Sequence, residues 1–166
     1  MVIMGSLAFS AEKGDNRDEF VVTTMTGKKI KVYGTTKGIE IPAYKGKVVM
    51  IEFWGTHCPP CLRSIPHYIN LMKKYGKSVA LLAIEAQDTP KTALAQFVKS
   101  KGINYDVVSY RDAGEFIDYV GQRAQWNGSI PFLIILDKKS EVVAMQIGMV
   151  PERTIEKTLK HLISKK

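Results

Sequence analysis

Residues 48–61 read Val-Val-Met-Ile-Glu-Phe-Trp-Gly-Thr-His-Cys-Pro-Pro-Cys. Val48 to Trp54 form a nearly continuous apolar run bounded by Gly46 and Gly55, the pattern of a central strand covered on both faces. Cys58 then stands directly before Pro59, and proline suits the first position of a helix because the N–H it lacks would have no intrahelical partner there. Leu62, Ile65, Ile69, Leu71 and Met72 follow at roughly helical spacing, and Gly76 stops the run, so a helix is expected over Pro59–Tyr75. The stretch places its first cysteine where a buried strand gives way to the amino end of a helix.

Outward from this junction the alternation continues. Residues 79–84 read as a second buried strand, 90–101 as a helix closed by Gly102, 105–109 as a short strand, and 112–125 as a helix with Phe116, Ile117 and Val120 facing inward. Phe132–Leu136 and 141–147 flank Asp137-Lys138-Lys139-Ser140, a hairpin signature that adds antiparallel strands. Residues 151–163 form an amphipathic helix with Pro151 at its start. Upstream, 20–24 and 29–33 are β-prone runs around Thr26-Gly27-Lys28, expected to decorate one edge of the domain. The order predicts an α/β fold with right-handed crossovers, a central mixed sheet and helices on both faces. A chain of 166 residues can bury one sizeable core, and 20–166 reads as a single domain.

Cys58 and Cys61 are the only cysteines. Closing so short a ring removes little chain entropy, so reactivity explains the pair better than a structural staple does. Zinc would need about four ligands, and the nearest additions are His57 and His67, without a second Cys-x-x-Cys pair. Covalent haem attachment needs histidine directly after the second cysteine, where Leu62 stands. No metal is assigned, the seven methionines read as core fillers, and His67 and His161 receive no role. At a helix amino terminus, unpaired N–H groups and the helix dipole stabilise an anion, so Cys58 should ionise more readily than a free cysteine and act as nucleophile. Cys61, one turn on, is placed to attack a mixed disulfide formed at Cys58. This redox-active disulfide is the only redox group expected, with no cofactor.

Glu52 interrupts the apolar strand six residues before Cys58. Burying a carboxylate there is costly unless its pKa rises, and a carboxyl so shifted would accept the Cys61 proton. The alternative is an edge position paired with Lys45 or Lys47. Pro131, which follows Gly128-Ser129-Ile130, enters a strand whose ladder it cannot join.

A net charge of +8 invites a nucleic-acid reading, but the lysines and arginines are scattered, with no basic block carrying interleaved aromatics, so nucleic acid is not expected as a partner. Val2 to Ala11 is apolar and rich in small residues, 12–19 is abruptly polar, and Ala8-Phe9-Ser10 suits signal cleavage, although no positive segment precedes it. The apolar run is too short to span a bilayer. Residues 1–19 are therefore expected to be disordered or an export-signal remnant, with a membrane tether upstream as an option.

Val48 to Cys61 followed by Pro66 resembles thioredoxin, whose motif also has an acidic residue six before the first cysteine and a proline five after the second. Ile130-Pro131 is similar to that family's cis-proline loop, and Gly148 falls where the family often has glycine. Gly46-Lys47-Val48-Val49, the N-terminal β segment and the long insertion between Val79 and Pro131 are more similar to the extracytoplasmic TlpA, ResA and CcmG-like branch. Glu52 departs from the asparagine common in that branch. The resemblance implies a thioredoxin fold with Cys58 exposed at a helix tip, Cys61 more buried, and Pro131 cis against the disulfide. It also implies substrate pairing at the Ile130 backbone and a site framed by Trp54. His57 stands where many relatives have tryptophan, and Pro59-Pro60 is uncommon between the cysteines; these three residues are expected to tune the Cys58 thiol, unless His57 is merely solvated.

The function expected is reduction of protein disulfides in the periplasm or another extracytoplasmic compartment, with electrons from a membrane thiol-disulfide donor. Clients would be proteins carrying cysteines or disulfides, such as apocytochrome c before haem attachment. A dithiol oxidase or isomerase is the nearest alternative, because direction depends on potential. A thiol peroxidase fits less well, since Thr56 precedes Cys58 by two residues rather than three. A redox-silent binding module and a cytoplasmic location complete the alternatives.

Overall fold

A computed structural model describes residues 17–166; the export-signal reading of the N-terminal segment lies outside the described residues. Alternation of inward Val22, Ile30 and Val32 with outward polar residues makes a hairpin of β1 (Asp18–Thr23) and β2 (Lys29–Gly34), turning at Gly27 with φ +83°. β1 starts two residues before the expected Phe20, because Glu19 lies opposite Tyr33 and pairs with Lys31 at 3.0 Å. A third strand, β3 (Ile39–Glu40), is too short to announce itself as a pattern and pairs antiparallel with β2. A 3₁₀ turn at Pro42–Tyr44 leads into the central strand.

The elements that follow are β4 (Val48–Trp54), α1 (Pro59–Tyr75), β5 (Val79–Glu85), α2 (Lys91–Lys101), β6 (Asp106–Val108), α3 (Tyr110–Ala124), β7 (Phe132–Leu136), β8 (Val142–Ile147) and α4 (Glu152–Ser164). The main sheet has the order β6-β5-β4-β7-β8, with β4, β5 and β6 parallel and β7 antiparallel to both its neighbours. The insertion between Val79 and Pro131 thus contributes a rim strand and two helices. α3 begins two residues before the expected 112, because the Ser109 side chain caps it, accepting the Asp112 N–H at 3.4 Å.

β4 is buried at all seven positions, and its alternation sorts the core. Val49, Ile51 and Phe53 face α3 and the N-terminal sheet, while Val48 and Met50 face α1 and α4. The small sheet lies across the face of the main sheet and does not decorate one edge. It touches both rims, Thr24 bridging Val108 and Gly38 bridging Glu141. The reason is its apolar inner side: Val22, Ile30, Val32, Ile39 and Ile41 share a cluster with Phe53 and Phe116. Phe116 is 1% exposed and meets Phe20 of β1 at 5.7 Å between centroids, and burial of such a ring contributes about 2–3 kcal/mol.

Candidate active site

Cys58 is the residue that caps α1. Its backbone is extended (φ −116°, ψ 101°), its carbonyl accepts the Leu62 N–H at 3.0 Å, and its Sγ accepts the Cys61 N–H at 3.4 Å. The two cysteines form a disulfide with their Cα atoms 5.2 Å apart. Pro59 and Pro60 hold the first two helical positions, so neither presents an amide to the sulfur. One donor, the Cys61 N–H, remains where a helix start normally offers several.

The order of exposure matches the expectation, but its extent does not. Cys61 is 1% exposed and Cys58 only 6%. In the oxidised pair the Cys58 sulfur turns inward to its partner, into a cluster with Trp54, Ile65, Ala83, Leu94 and Val107, with Ile130 packed against it. Trp54, 2% exposed, floors this cluster, and its Nε1 has no hydrogen-bond partner among the described residues.

Glu52 lies opposite Ala83 of β5 and Leu133 of β7, in mid-sheet. The edge pairing with a lysine does not occur: Lys47 Nζ donates to the Gly76 carbonyl at 2.9 Å and Lys45 is exposed. By strand alternation Glu52 shares the face of Met50 and Trp54, between the cluster under α1 and α4 and the one holding both cysteines. The carboxyl is 3% exposed and its Oε1 has no hydrogen-bond partner among the described residues. Burial pushes its pKa up from 4.5 to about 8, against a smaller downward pull from the Tyr68 hydroxyl; burial, then the Glu52 charge, raise Tyr68 in turn.

The Ile130–Pro131 peptide bond is cis. Pairing of β7 starts at Phe132, so Ile130, half-buried, stays ahead of the ladder beside the disulfide cluster. Gly148, at φ +90°, donates its N–H to the Pro131 carbonyl at 2.8 Å and fixes the loop.

On the other side of Cys58, His57 is exposed and held by the turn after β5. Its N–H donates to Gln87 Oε1 at 2.9 Å, and its Nδ1 lies 3.0 Å from Thr56 Oγ1, which lies 2.8 Å from Thr89 Oγ1. Glu85, fully buried at the end of β5, accepts the Thr89 hydroxyl and the N–H groups of Gln87 and Thr89. Gly55 makes room for this arrangement, since a Cβ there would overlap the Gln87 carboxamide. Gly55→Ala should therefore break the Gln87–His57 link and speed hydrogen exchange at the His57 amide about fivefold, the loss of about 1 kcal/mol. An unchanged exchange rate would contradict this account of Gly55.

The profile of the redoxin family matches residues 18–162. This chain belongs to the redoxin family. It is 30% identical over 174 residues to the thiol-disulfide oxidoreductase ResA of Bacillus thuringiensis (strain Al Hakam), covering 98% of this chain and 91% of that protein. Among solved structures, a thioredoxin-family thiol:disulfide interchange protein from Chlorobium tepidum superposes with a TM-score of 0.68 at 21% identity, over 88% of this chain and 94% of that one. The pneumococcal exposed lipoprotein thioredoxin from Streptococcus pneumoniae strain TIGR4 gives 0.63 at 24% identity, over 87% and 100%. The fold is that of thioredoxin, and this redoxin is a thiol-disulfide oxidoreductase acting on proteins with cysteines or disulfides.

The redoxin scaffold gathers Cys58, Cys61, Trp54 and Ile130 into one cluster, with Glu52 on the same sheet face and His57, Pro59 and Pro60 around the first cysteine. Glu85, Gln87, Thr89 and Thr56 were not anticipated. Their one sequence signal is a glutamate ending the apolar run 79–84 before Ala-Gln-Asp-Thr-Pro. Among the described residues, no three His, Cys, Asp or Glu side chains gather as a metal site, and no helix is long and apolar enough to cross a membrane.

Proposed function

We propose that this redoxin is an extracytoplasmic reductase of protein disulfides, with Cys58 as nucleophile, Cys61 as resolving thiol and Glu52 as the acceptor of the Cys61 proton. In the reduced enzyme the Cys58 thiolate attacks a client disulfide, forming a mixed disulfide and releasing one client thiolate. Cys61 then passes its proton to Glu52 and attacks Cys58 Sγ; the second client thiolate leaves, and the Cys58–Cys61 disulfide carries away the two electrons' worth of oxidation. A carboxyl with its pKa at about 8 is close to a thiol's ordinary value of about 8.5, so the proton moves between them at little cost in either direction. The client segment pairs with the Ile130 backbone beside Pro131, over a floor made by Trp54. Residues 20–166 act as one unit.

The observation that carries the direction is the stripped helix start. With Pro59 and Pro60 in the first two positions, the Cys58 sulfur keeps one amide donor, at 3.4 Å. Strong dithiol oxidants owe their potential to a stabilised reduced form; here the thiolate gains little, so the disulfide is favoured and the pair gives electrons away. The exposed lipoprotein among its structural relatives supports a site outside the cytoplasm, where a membrane thiol-disulfide donor would recharge the pair and apocytochrome c is one fitting client. His57 completes the tuning of Cys58. Equilibration with glutathione tests the direction: a potential more negative than about −230 mV is expected, and one near −120 mV, the range of dithiol oxidases, would overturn the reductase reading.

A further inference from the structure

The side-chain chain from Glu85 to His57 has a direction, and the direction determines where His57 carries its hydrogen. Both Glu85 oxygens already receive backbone N–H groups, Gln87 at 3.0 Å and Thr89 at 3.1 Å, and the Thr89 hydroxyl donates to Oε1 at 2.9 Å. A hydroxyl has one hydrogen. Thr89 spends its own on Glu85, so it meets Thr56 Oγ1, 2.8 Å away, as an acceptor, and Thr56 is the donor. With that hydrogen spent, Thr56 Oγ1 can only accept from His57 Nδ1 at 3.0 Å, and Nδ1 must carry a hydrogen. A neutral imidazole has one N–H, which leaves the lone pair on Nε2.

From this geometry we infer that Glu85, Thr89 and Thr56 are a positioning relay that holds His57 in the Nδ1–H tautomer, one residue before Cys58, so that the proton His57 exchanges with a client is the one on Nε2. The inner end of the relay is anchored by a fully buried carboxyl, while the histidine at its outer end is exposed to an arriving polypeptide. The inference rests on the reading of Cys58–Cys61 as a client-reducing pair and adds one step to it. As the Cys58 thiolate opens the client disulfide, the leaving client sulfur is a thiolate. An imidazolium at His57 gives it the Nε2 proton, making a client thiol, and ends as the neutral Nδ1–H ring that the relay already favours. The ring needs no reorientation and recovers its proton from solvent. Which ring nitrogen bears hydrogen follows from the network, and it is directly measurable.

The test is long-range ¹H–¹⁵N correlation NMR of the ¹⁵N-histidine-labelled oxidised protein at about pH 9, where model imidazoles are neutral, with His57 assigned by the signal lost in His57→Gln. In the wild type, Nδ1 should show the shift of a protonated ring nitrogen and Nε2 that of a bare one. Thr89→Val does not touch the ring, but it frees the Thr56 hydrogen to point at Nδ1, so the two shifts should exchange, and Thr89→Ser should restore the wild-type pattern. Client reduction, followed on insulin, should fall about fivefold in Thr89→Val and recover in Thr89→Ser. A wild type already in the Nε2–H form, or a Thr89→Val spectrum that keeps the Nδ1–H form, would overturn the relay. Exchanged shifts with an unaltered insulin rate would overturn the role given to Nε2. A wild type unable to reduce insulin at all would strike the reductase reading, and the tautomer spectra would still judge the relay by themselves.

Discussion

Cys61→Ala is expected to leave the protein folded and reactive but unable to turn over, collecting clients as mixed disulfides on Cys58. The physical reason is the division of labour at the start of α1. The Cys58 sulfur caps the helix, and Cys61, 1% exposed, sits behind it within bonding distance. Without the second sulfur nothing inside the site can attack the mixed disulfide, and release waits on an external thiol. Insulin reduction should fall about a thousandfold or more in both Cys61→Ala and Cys58→Ser, since residues that act as a unit lose nearly everything singly. Only Cys61→Ala should trap partners, which mass spectrometry of non-reduced complexes from the native host can name. Equal trapping by the Cys58→Ser protein would reverse the assignment of nucleophile, and no covalent partner at all in Cys61→Ala would argue against protein substrates.

Glu52→Gln should change both the pH dependence of stability and the rate of the release step. The folded pKa of about 8 lies above the unfolded value of 4.5. Between those pH values the native protein holds a proton that the unfolded chain has lost, so stability falls as pH rises through the window and levels off above it. Below about pH 4.5 both states are protonated and Glu52 costs no more than its polar bulk. Glutamine cannot ionise, so its advantage over glutamate should be small at pH 5 and grow to several kcal/mol by pH 8.5, a rise in Tm of about 10–20 °C. Thermal melts at the two pH values give the slope; an equal offset at both would mean that the buried carboxyl does not titrate as described. The same substitution removes the proposed acceptor of the Cys61 proton and should slow release of a mixed disulfide by about a hundredfold, measured by stopped flow on a single-cysteine client. A chain that becomes sturdier in alkali and slower in chemistry is the signature expected of a strained functional group.

The junction at Cys58 was legible because its determinants are local: a seven-residue run with six apolar members, a glycine, and a proline placed where a helix tolerates one. Glu52 was legible as an anomaly for the same reason, although its escape from lysine pairing depends on β5 and β7 flanking β4. Features that depend on register were not legible. Parallel pairing sets Trp54 beside Glu85, and only then do the turn after β5 and the turn after β4 come close enough for Thr89 to meet Thr56. In the chain these residues are 33 positions apart and read as ordinary polar loop. The shallow exposure of Cys58 likewise depends on Ile130, brought in from the far side of the sequence. The small N-terminal sheet was misplaced because nothing in residues 20–33 says that their inner side covers a face instead of extending a rim.

That sheet also affects how copies of the protein behave when crowded. Strand edges with open backbone groups template the addition of other chains and seed aggregates. Here the Met25 N–H is already given to the Val107 carbonyl, and the Val142 N–H to the Lys37 carbonyl, so the N-terminal segment occupies part of each outer strand before a neighbouring molecule arrives. On the proposed reading, in which client segments pair at the Ile130 loop, the protein thereby avoids becoming a nucleus for them along its flanks.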